Sequence, residues 1–174
     1  KKDVEVYYPE FSDRVVVLPF SASANRAWFD QDIEKVCNTY GVGERYFIIS
    51  NQFWLHKRHE VAIQAFARLE KKHPEVNLVL TGANWDSRVR GRIDDIRRLI
   101  DDLGLKNRIH ILGQIPKLDQ VALLRGSIAV IQPTAFEGGP GGGSVFDAVA
   151  LGVPCVLSDI PVNREIEELV TAYF

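Results

Sequence analysis

The hydrophobic and polar positions of the chain follow two alternating patterns. Short aliphatic runs, typical of buried strands, are separated by longer stretches with apolar residues three and four positions apart, typical of amphipathic helices. The pattern predicts strands at 15–18, 45–50, 76–81, 108–112, 127–132 and 153–158, and helices at 30–41, 59–72, 86–103, 117–125, from 144, and at 163–169. Asp30 is expected to begin the first helix, and Asp86 or Ser87 to cap the long charged one.

Strands that alternate with helices, without hairpin turns between them, favour a parallel sheet covered on both faces. Right-handed crossovers make this an α/β fold, a Rossmann-like doubly wound parallel sheet with helices on both faces. Ligands of such sheets bind at the carboxyl ends of the strands. The loops at Asn51, Gly82, Gly113 and Pro133 are therefore expected to share one ligand-binding edge.

Composition narrows the class of protein. The 174 residues suffice for one domain with a substantial core, and a net charge of −2 leaves no basic footprint for nucleic acid. No apolar run is long enough to span a membrane, and no signal peptide is visible. Cys37 and Cys155 are expected to be free core thiols in a reducing compartment. The four histidines show no spacing typical of a metal site.

The loop after the predicted strand at 127–132 carries the strongest chemical signal. Glu137 is followed by five glycines within six positions. These are Gly138, Gly139, Gly141, Gly142 and Gly143. Such a run allows positive φ angles, and the helix expected from Ser144 adds free N–H donors and the positive end of a dipole. The loop therefore predicts a binding site for an anion, most plausibly a phosphate or diphosphate.

A second loop, residues 51–59, is expected at the same edge of the sheet. Lys57 and Arg58 are cations that come directly before a predicted helix, where the helix dipole disfavours positive charge. A phosphate would be held by Lys57 as a point charge or by Arg58 as a fork. A solvated basic helix start is the alternative interpretation.

The residues Glu137-Gly-Gly, followed by Asp147-Ala-Val-Ala-Leu-Gly-Val-Pro, resemble the donor-binding signature of retaining glycosyltransferases of the GT-B fold. The resemblance is to family 4 (group 1), specifically its C-terminal donor-binding domain, and it extends over about residues 46–165. Nine residues separate the two acids, more than in the family pattern, and the second acid is Asp where the family has Glu.

The resemblance implies roles for individual residues. Glu137 would contact hydroxyl groups of the donor sugar, and Lys57 would neutralise the diphosphate; these two are the expected catalytic residues. Asp147 would accept hydrogen bonds from the ribose. The expected substrate-binding residues are Asn51, Gln52, Arg58, Ile115, Lys117, Gly138, Gly139, Gly141, Gly142, Gly143, Ser144 and Asp147.

Three of these positions carry more specific expectations. The family's diphosphate-binding Arg falls on Asn51 or Gln52, so that Arg58 or a histidine would have to replace it. Ile115 would pack on the nucleobase, although a Pro-containing turn explains the loop 113–117 almost as well. Lys117 would lie near the ribose or the phosphates.

The implied reaction is retaining transfer of a hexosyl group from a GDP-, UDP- or ADP-linked sugar to an acceptor hydroxyl, in polysaccharide or lipopolysaccharide synthesis. Residues 1–28 would be an entering linker with a strand, and 29–174 the donor domain of a longer chain whose N-terminal domain holds a glycan or lipid-linked acceptor. No metal or cofactor is expected, and the location is cytoplasmic, free or at the inner membrane face. The alternatives are a sugar-nucleotide epimerase of the same architecture and a non-catalytic nucleotide-binding module.

Overall fold

A computed structural model describes residues 1–18 and 20–174, and it shows one parallel sheet of six strands. The strands are β1 (Tyr46–Ser50), β2 (Asn77–Thr81), β3 (Ile109–Gly113), β4 (Val130–Gln132), β5 (Cys155–Leu157) and β6 (Ala172–Tyr173). Their order is β3-β2-β1-β4-β5-β6, and every neighbouring pair is parallel. The predicted doubly wound α/β sheet is therefore confirmed.

Helices connect these strands. They are α1 (Lys2–Tyr7), α2 (Arg26–Phe29), α3 (Ile33–Tyr40), α4 (His59–Leu69), α5 (Arg92–Asp102), α6 (Lys117–Gly126) and α7 (Gly143–Ala150), with 3₁₀ turns at Pro9–Arg14, Leu55–Lys57 and Asn163–Leu169. Because a parallel crossover must return to the same end of the sheet, each long helix runs back antiparallel to the strands it joins.

Alternating side chains of the strands supply two hydrophobic cores, one on each face. On β1, Ile48 belongs to a core with helices α3, α6 and α7, whereas its neighbour Ile49 belongs to a core with α4 and α5. Val79 and Leu80 of β2 divide in the same way. Successive side chains of a strand point to opposite faces, so both faces of the sheet are covered by helices.

Two predicted helix starts are wrong. The first long helix begins at Ile33 and not at Asp30, because the Asp32 carboxylate accepts a hydrogen bond from the backbone N–H of Lys35 and forms the N-cap. Asp86 caps no helix, since its carboxylate accepts from the backbone N–H groups of Leu55 and Arg88 instead. The charged helix α5 begins later, after Gly91.

Residues 1–28, the predicted linker, lack the strand expected at 15–18. Among residues 1–18 and 20–174, no strand pairs with the segment 15–18, which forms no strand itself, and Val16 and Leu18 are exposed. Pro19 lies outside the described residues. On α4, Ala62 is buried and Ala65 is exposed. The short edge strand β6 was not predicted.

Gly82 allows the carboxyl ends of β1 and β2 to approach each other. Its φ is +131°, and a Cβ atom at this position would lie 2.1 Å from the carbonyl oxygen of Asn51. No side chain fits at that distance, so the loops after these strands depend on glycine here.

We expect Gly82→Ala to lower the free energy of unfolding by about 2 kcal/mol or more, because it combines backbone strain with a steric clash. Gly104→Ala is the matched control, since Gly104 has φ +70° but open space around its Cβ position, and it should cost about 1 kcal/mol. Urea denaturation measures both variants. Equal losses would contradict the close approach at Gly82.

Candidate functional site

The order of the strands places two loops against each other. Strand β1 pairs with β2 on one side and with β4 on the other, so the connections after β1 and β4 leave the sheet in opposite directions. A crevice forms at the carboxyl ends of strands at such a switch point. The loops 51–58 and 133–142 border it, as the sequence predicted for this edge of the sheet.

Lys57 and Glu137, the two predicted catalytic residues, form a buried ion pair in this crevice. The Lys57 Nζ lies 2.6 Å from Glu137 Oε1, and the two side chains are only 7% and 8% exposed. Each charge would be costly to bury alone, and each provides the partner that the other requires. The pair therefore joins the two loops and keeps both charges next to the crevice.

Gln132, the last residue of β4, extends this pair into a network. Its side-chain Nε2 donates to Glu137 Oε1 at 2.7 Å and to the carbonyl oxygen of Gly141 at 3.0 Å, and its Oε1 accepts from the side chain of Asn51. Gln132 is fully buried. Asn51, predicted to contact substrate, is thus mainly a buried support of the network, although it also borders the neighbouring cleft.

The glycine loop has the predicted left-handed conformation at two of its five glycines, Gly141 and Gly142, with φ of +66° and +71°. A Cβ atom on Gly142 would lie 3.3 Å from Gln132 Nε2 and 3.7 Å from Glu137 Oε2. The loop backbone therefore packs closely against the network, and Gly138 and Gly139 have open space at their Cβ positions.

Not all amides of this loop are free for an anion, which corrects part of the prediction. The N–H of Gly141 donates to the Asn163 side chain at 2.9 Å, and the N–H of Gly142 donates to the carbonyl of Pro140 at 2.8 Å. Gly143 and Ser144 instead occupy the first turn of α7, where N–H groups have no preceding helical carbonyl. These two amides are the donors that an anion would meet.

Ser144 itself is buried, and within residues 1–18 and 20–174 no group accepts from or donates to its Oγ. A buried hydroxyl is normally hydrogen-bonded. Its position at the first turn of α7, beside the free amides, is consistent with its predicted role as a ligand-binding residue.

Asp147 and Lys117 come together as a second ion pair. The Asp147 side chain is 13% exposed and the Lys117 side chain 49%. Because α7 begins at Gly143, Asp147 is in the second turn of the helix. Its interaction with the helix dipole is accordingly weaker, and Lys117 is its main electrostatic partner.

A cleft of about 380 Å³ lies next to Lys117, at the carboxyl ends of β1, β2 and β3. It is lined by Ser50, Asn51, Gln52, Thr81, Gly82, Ala83, Gln114, Ile115, Lys117 and Gln120. Four of these are predicted substrate-binding residues. The cleft and the Lys57–Glu137 pair therefore occupy adjacent parts of one sheet edge.

Arg58 and two nearby histidines, His56 and His59, are the candidates to replace the diphosphate-binding arginine of the family pattern. Arg58 is exposed and has a left-handed backbone, with φ of +47°, at the start of α4. His59 is completely buried and stacks on Phe53, with ring centroids 4.4 Å apart. Burial, together with the charges of Arg92 and Lys57, lowers the pKa of His59 to about 3.

Burial also lowers the pKa of His56, and the positive charge of Lys57 adds to the effect. Both lowered pKa values disfavour a positively charged histidine, so of the two expected replacements for the arginine the structure favours Arg58. Lys57 and Arg58 remain as the cations of this loop.

An aromatic cluster on the rim of the crevice was not predicted. The His56 ring lies 5.6 Å from the ring of Trp54 and 6.0 Å from that of Phe136. The His56 carbonyl accepts a hydrogen bond from the N–H of Ala135 at 2.8 Å, which ties the two loops together. His56 and Phe136 directly precede Lys57 and Glu137, so the buried pair and the rim depend on the same two segments.

Residues 1–18 and 20–174 contain neither a helix fit to span a membrane nor a cluster of three metal-ligating side chains. No helix in that part of the chain has the length and apolar character needed to cross a membrane. In the same part of the chain, no group of three or more His, Cys, Asp or Glu side chains is arranged to hold a metal ion. Cys37 and Cys155 are buried free thiols, as predicted.

Comparison with known proteins identifies a family. The sequence model of the family described as "Glycosyl transferases group 1" matches residues 30–170. No curated protein matches the chain.

Several solved structures share the fold. A glycosyltransferase from Rickettsia africae ESF-5 is 20% identical over 99% of the chain, with a TM-score of 0.78. WaaG, a glycosyltransferase involved in lipopolysaccharide biosynthesis, is 18% identical over 96% (TM-score 0.75), and Anabaena Alr3699/HepE in complex with UDP and glucose is 20% identical over 87% (TM-score 0.69). The chain covers only 46%, 44% and 39% of these proteins, respectively.

The depressed pKa of His59 makes stability depend on pH. The unfolded chain protonates this histidine below about pH 6.5, whereas the folded protein does so only near pH 3. The contribution of His59 to the free energy of unfolding is therefore fully present above pH 6.5 and is lost as the pH falls toward 3. We expect the free energy of unfolding to fall by about 2 kcal/mol between pH 6.5 and pH 5, measured by urea denaturation.

His59→Leu should remove most of this decrease, because His59 is the histidine whose pKa is lowered to about 3, and a smaller remainder should come from His56 and His110, whose pKa values burial also lowers. His73→Leu is the matched control, since His73 is half exposed, and it should keep the decrease. A pH dependence that persists in His59→Leu would show that other groups cause it.

Proposed function

The chain belongs to the group 1 glycosyl transferases, and we propose that it is the donor-binding unit of a retaining enzyme. This enzyme would transfer a hexosyl group from a nucleoside diphosphate sugar to an acceptor hydroxyl. The observation that carries the proposal is the buried Lys57–Glu137 pair beside the first turn of α7. It combines a cation and free amides for a diphosphate with a carboxylate for a sugar.

The diphosphate is assigned to the first turn of α7. The free amides of Gly143 and Ser144, the unpartnered Ser144 hydroxyl and the dipole of the helix all favour an anion there. An ammonium group has three donors, and Lys57 uses one of them for Glu137. The others are available to the phosphates, where they would stabilise the charge that develops on the leaving group.

The donor sugar is assigned to Glu137. Its Oε1 atom accepts from both Lys57 and Gln132, which holds the carboxylate in one orientation. Its Oε2 atom is on the side of Gly142 and would accept hydrogen bonds from sugar hydroxyls. A carboxylate fixed in this way loses little conformational freedom when the sugar binds.

The nucleoside is assigned to the cleft beside Lys117. Asp147 would accept from the ribose hydroxyls, and Ile115 and Gln52 would border the base. The HepE structure contains UDP and glucose, and HepE shares this fold, so UDP is the first nucleotide to test. GDP and ADP are the other candidates.

Further features of the whole enzyme belong to the same proposal. The acceptor would be a glycan or a lipid-linked sugar held by another domain, in polysaccharide or lipopolysaccharide synthesis, in the cytoplasm or at the inner face of the membrane. We expect transfer without a metal or cofactor, because Lys57 and the α7 amides supply positive charge to the diphosphate. An epimerase would release a free or altered sugar without any acceptor, and this outcome distinguishes the two activities.

Lys57→Met should weaken binding of a nucleoside diphosphate by about 1.5–3 kcal/mol, because a charge-assisted contact is lost. Binding of the corresponding nucleoside should change little, since it has no phosphates. Isothermal titration with UDP, GDP and ADP and with the three nucleosides measures both effects. Lys106→Met, which removes an exposed lysine that follows α5 and pairs with Asp101, is the control and should bind as the wild type does.

Equal losses for nucleotide and nucleoside would show that Lys57 supports the fold and not the phosphates.

The 174-residue chain alone should bind a nucleoside diphosphate sugar weakly and transfer no sugar. The solved structures that it resembles are more than twice as long, and a sugar that remains open to water makes weaker electrostatic contacts. A radiolabelled-donor assay with saccharide acceptors tests this expectation. Sugar transfer by this chain alone would refute the assignment of the acceptor to another domain.

A further inference from the structure

The segment before α3 packs against both helices that carry the second ion pair. The ring of Phe20 meets the ring of Phe146 edge to face, with centroids 4.9 Å apart. Phe146 is the neighbour of Asp147 on α7. This contact places the segment beside the helix that carries the predicted ribose carboxylate.

A single guanidinium group anchors the other end of the segment. Nη1 of Arg125, on α6, donates to three backbone carbonyls. They belong to Trp28 (2.9 Å), Phe29 (2.9 Å) and Gln31 (3.1 Å). Charge-assisted bonds of this kind are stronger than neutral ones, so the turn that carries Trp28 is held firmly against α6.

Trp28 makes a direct contact with the ion pair. The Lys117 Nζ lies 5.1 Å from the centroid of the Trp28 ring, within the range in which an ammonium group is attracted to an aromatic face. The same Nζ pairs with Asp147 Oδ2. Lys117 thus lies between an indole ring and a carboxylate that come from different parts of the chain.

This arrangement restricts a side chain that would otherwise be mobile. Lysine has four rotatable bonds and loses much rotamer entropy when it is fixed, and Lys117 is half exposed. The indole lowers the number of positions open to the ammonium group and keeps it next to Asp147. Asp147 is largely buried, so a partner that is always present holds its carboxylate in one orientation.

We propose that Trp28 is a positioning residue for ribose recognition. It holds Lys117 against Asp147 Oδ2, and the other carboxylate oxygen, Oδ1, is then oriented to accept a ribose hydroxyl. The proposal rests on the assignment of Asp147 to the ribose under the proposed function. It brings a residue of the N-terminal segment into the nucleoside end of the site.

Two other roles for these residues give different results with a nucleotide that lacks one ribose hydroxyl. If Lys117 bound the phosphates, its loss would weaken the binding of a ribonucleotide and of its 2′-deoxy form equally. If Trp28 only covered the surface of α6, its loss would change neither binding constant. Only a role in ribose recognition changes the ratio of the two constants.

The experiment measures this ratio by isothermal titration of the 174-residue chain with UDP and 2′-deoxy-UDP. GDP or ADP and their 2′-deoxy forms replace them if they bind more tightly. We expect the wild type to prefer the ribonucleotide by about tenfold, the loss of one hydrogen bond to a charged group. Trp28→Leu and Lys117→Met should reduce the preference to about threefold or less, and Trp28→Phe should keep most of it.

An unchanged preference in Trp28→Leu overturns the inference, as does an equal weakening of both nucleotides. Circular dichroism and urea denaturation show whether the variants are folded, and Trp28→Phe separates the aromatic contact from simple packing. If none of the three ribonucleotides binds to the wild type, the proposed function fails and this inference fails with it. Binding by the wild type with an unchanged preference in the variants overturns the inference alone.

Discussion

The site depends on the burial of two opposite charges, Lys57 and Glu137, at the point where the strand order of the sheet reverses. Neither charge is stable alone in a crevice so poorly exposed to water. Together they require that the loop after β1 and the loop after β4 keep one relative position. Gln132 and Asn51 reinforce this position through hydrogen bonds, so the functional charges and the connection between the two loops are the same set of interactions.

The close packing of these loops also explains why glycine is required at two positions near the site. A side chain at Gly142 would crowd Gln132 and the Glu137 carboxylate. Gly82 allows the chain to pass close to the end of β1. Behind the loop, α7 begins with the backbone amides of Gly143 and Ser144, which have no preceding helical carbonyl. The parallel sheet therefore presents a cation, a carboxylate and a helix N-terminus at one edge, and the proposed binding of a diphosphate sugar rests on this arrangement.

The periodicity of the sequence predicted strands β1 to β5 and their parallel arrangement, because alternating strands and helices leave few topologies open. It wrongly placed a strand at 15–18 and missed the short edge strand β6. It also placed Lys57 and Glu137 in facing loops. It did not predict Gln132 in the network, because a glutamine that ends a strand has no distinctive pattern. The contact of Trp28 with Lys117 joins positions 89 residues apart, and Asp86, expected to cap a helix, instead accepts a hydrogen bond from the distant backbone N–H of Leu55. These features follow from tertiary packing, which local patterns do not record.

The central claim is that a nucleoside diphosphate binds with its phosphates at the first turn of α7 and next to the Lys57–Glu137 pair. Titration of the ¹⁵N-labelled chain with UDP, GDP or ADP, followed by amide chemical shifts in NMR spectra, tests it most directly. We expect the largest shifts at Gly143 and Ser144, with further shifts in the loop 51–58 and around Lys117. Saturable binding that leaves the amides of Gly143 and Ser144 unchanged would contradict the claim.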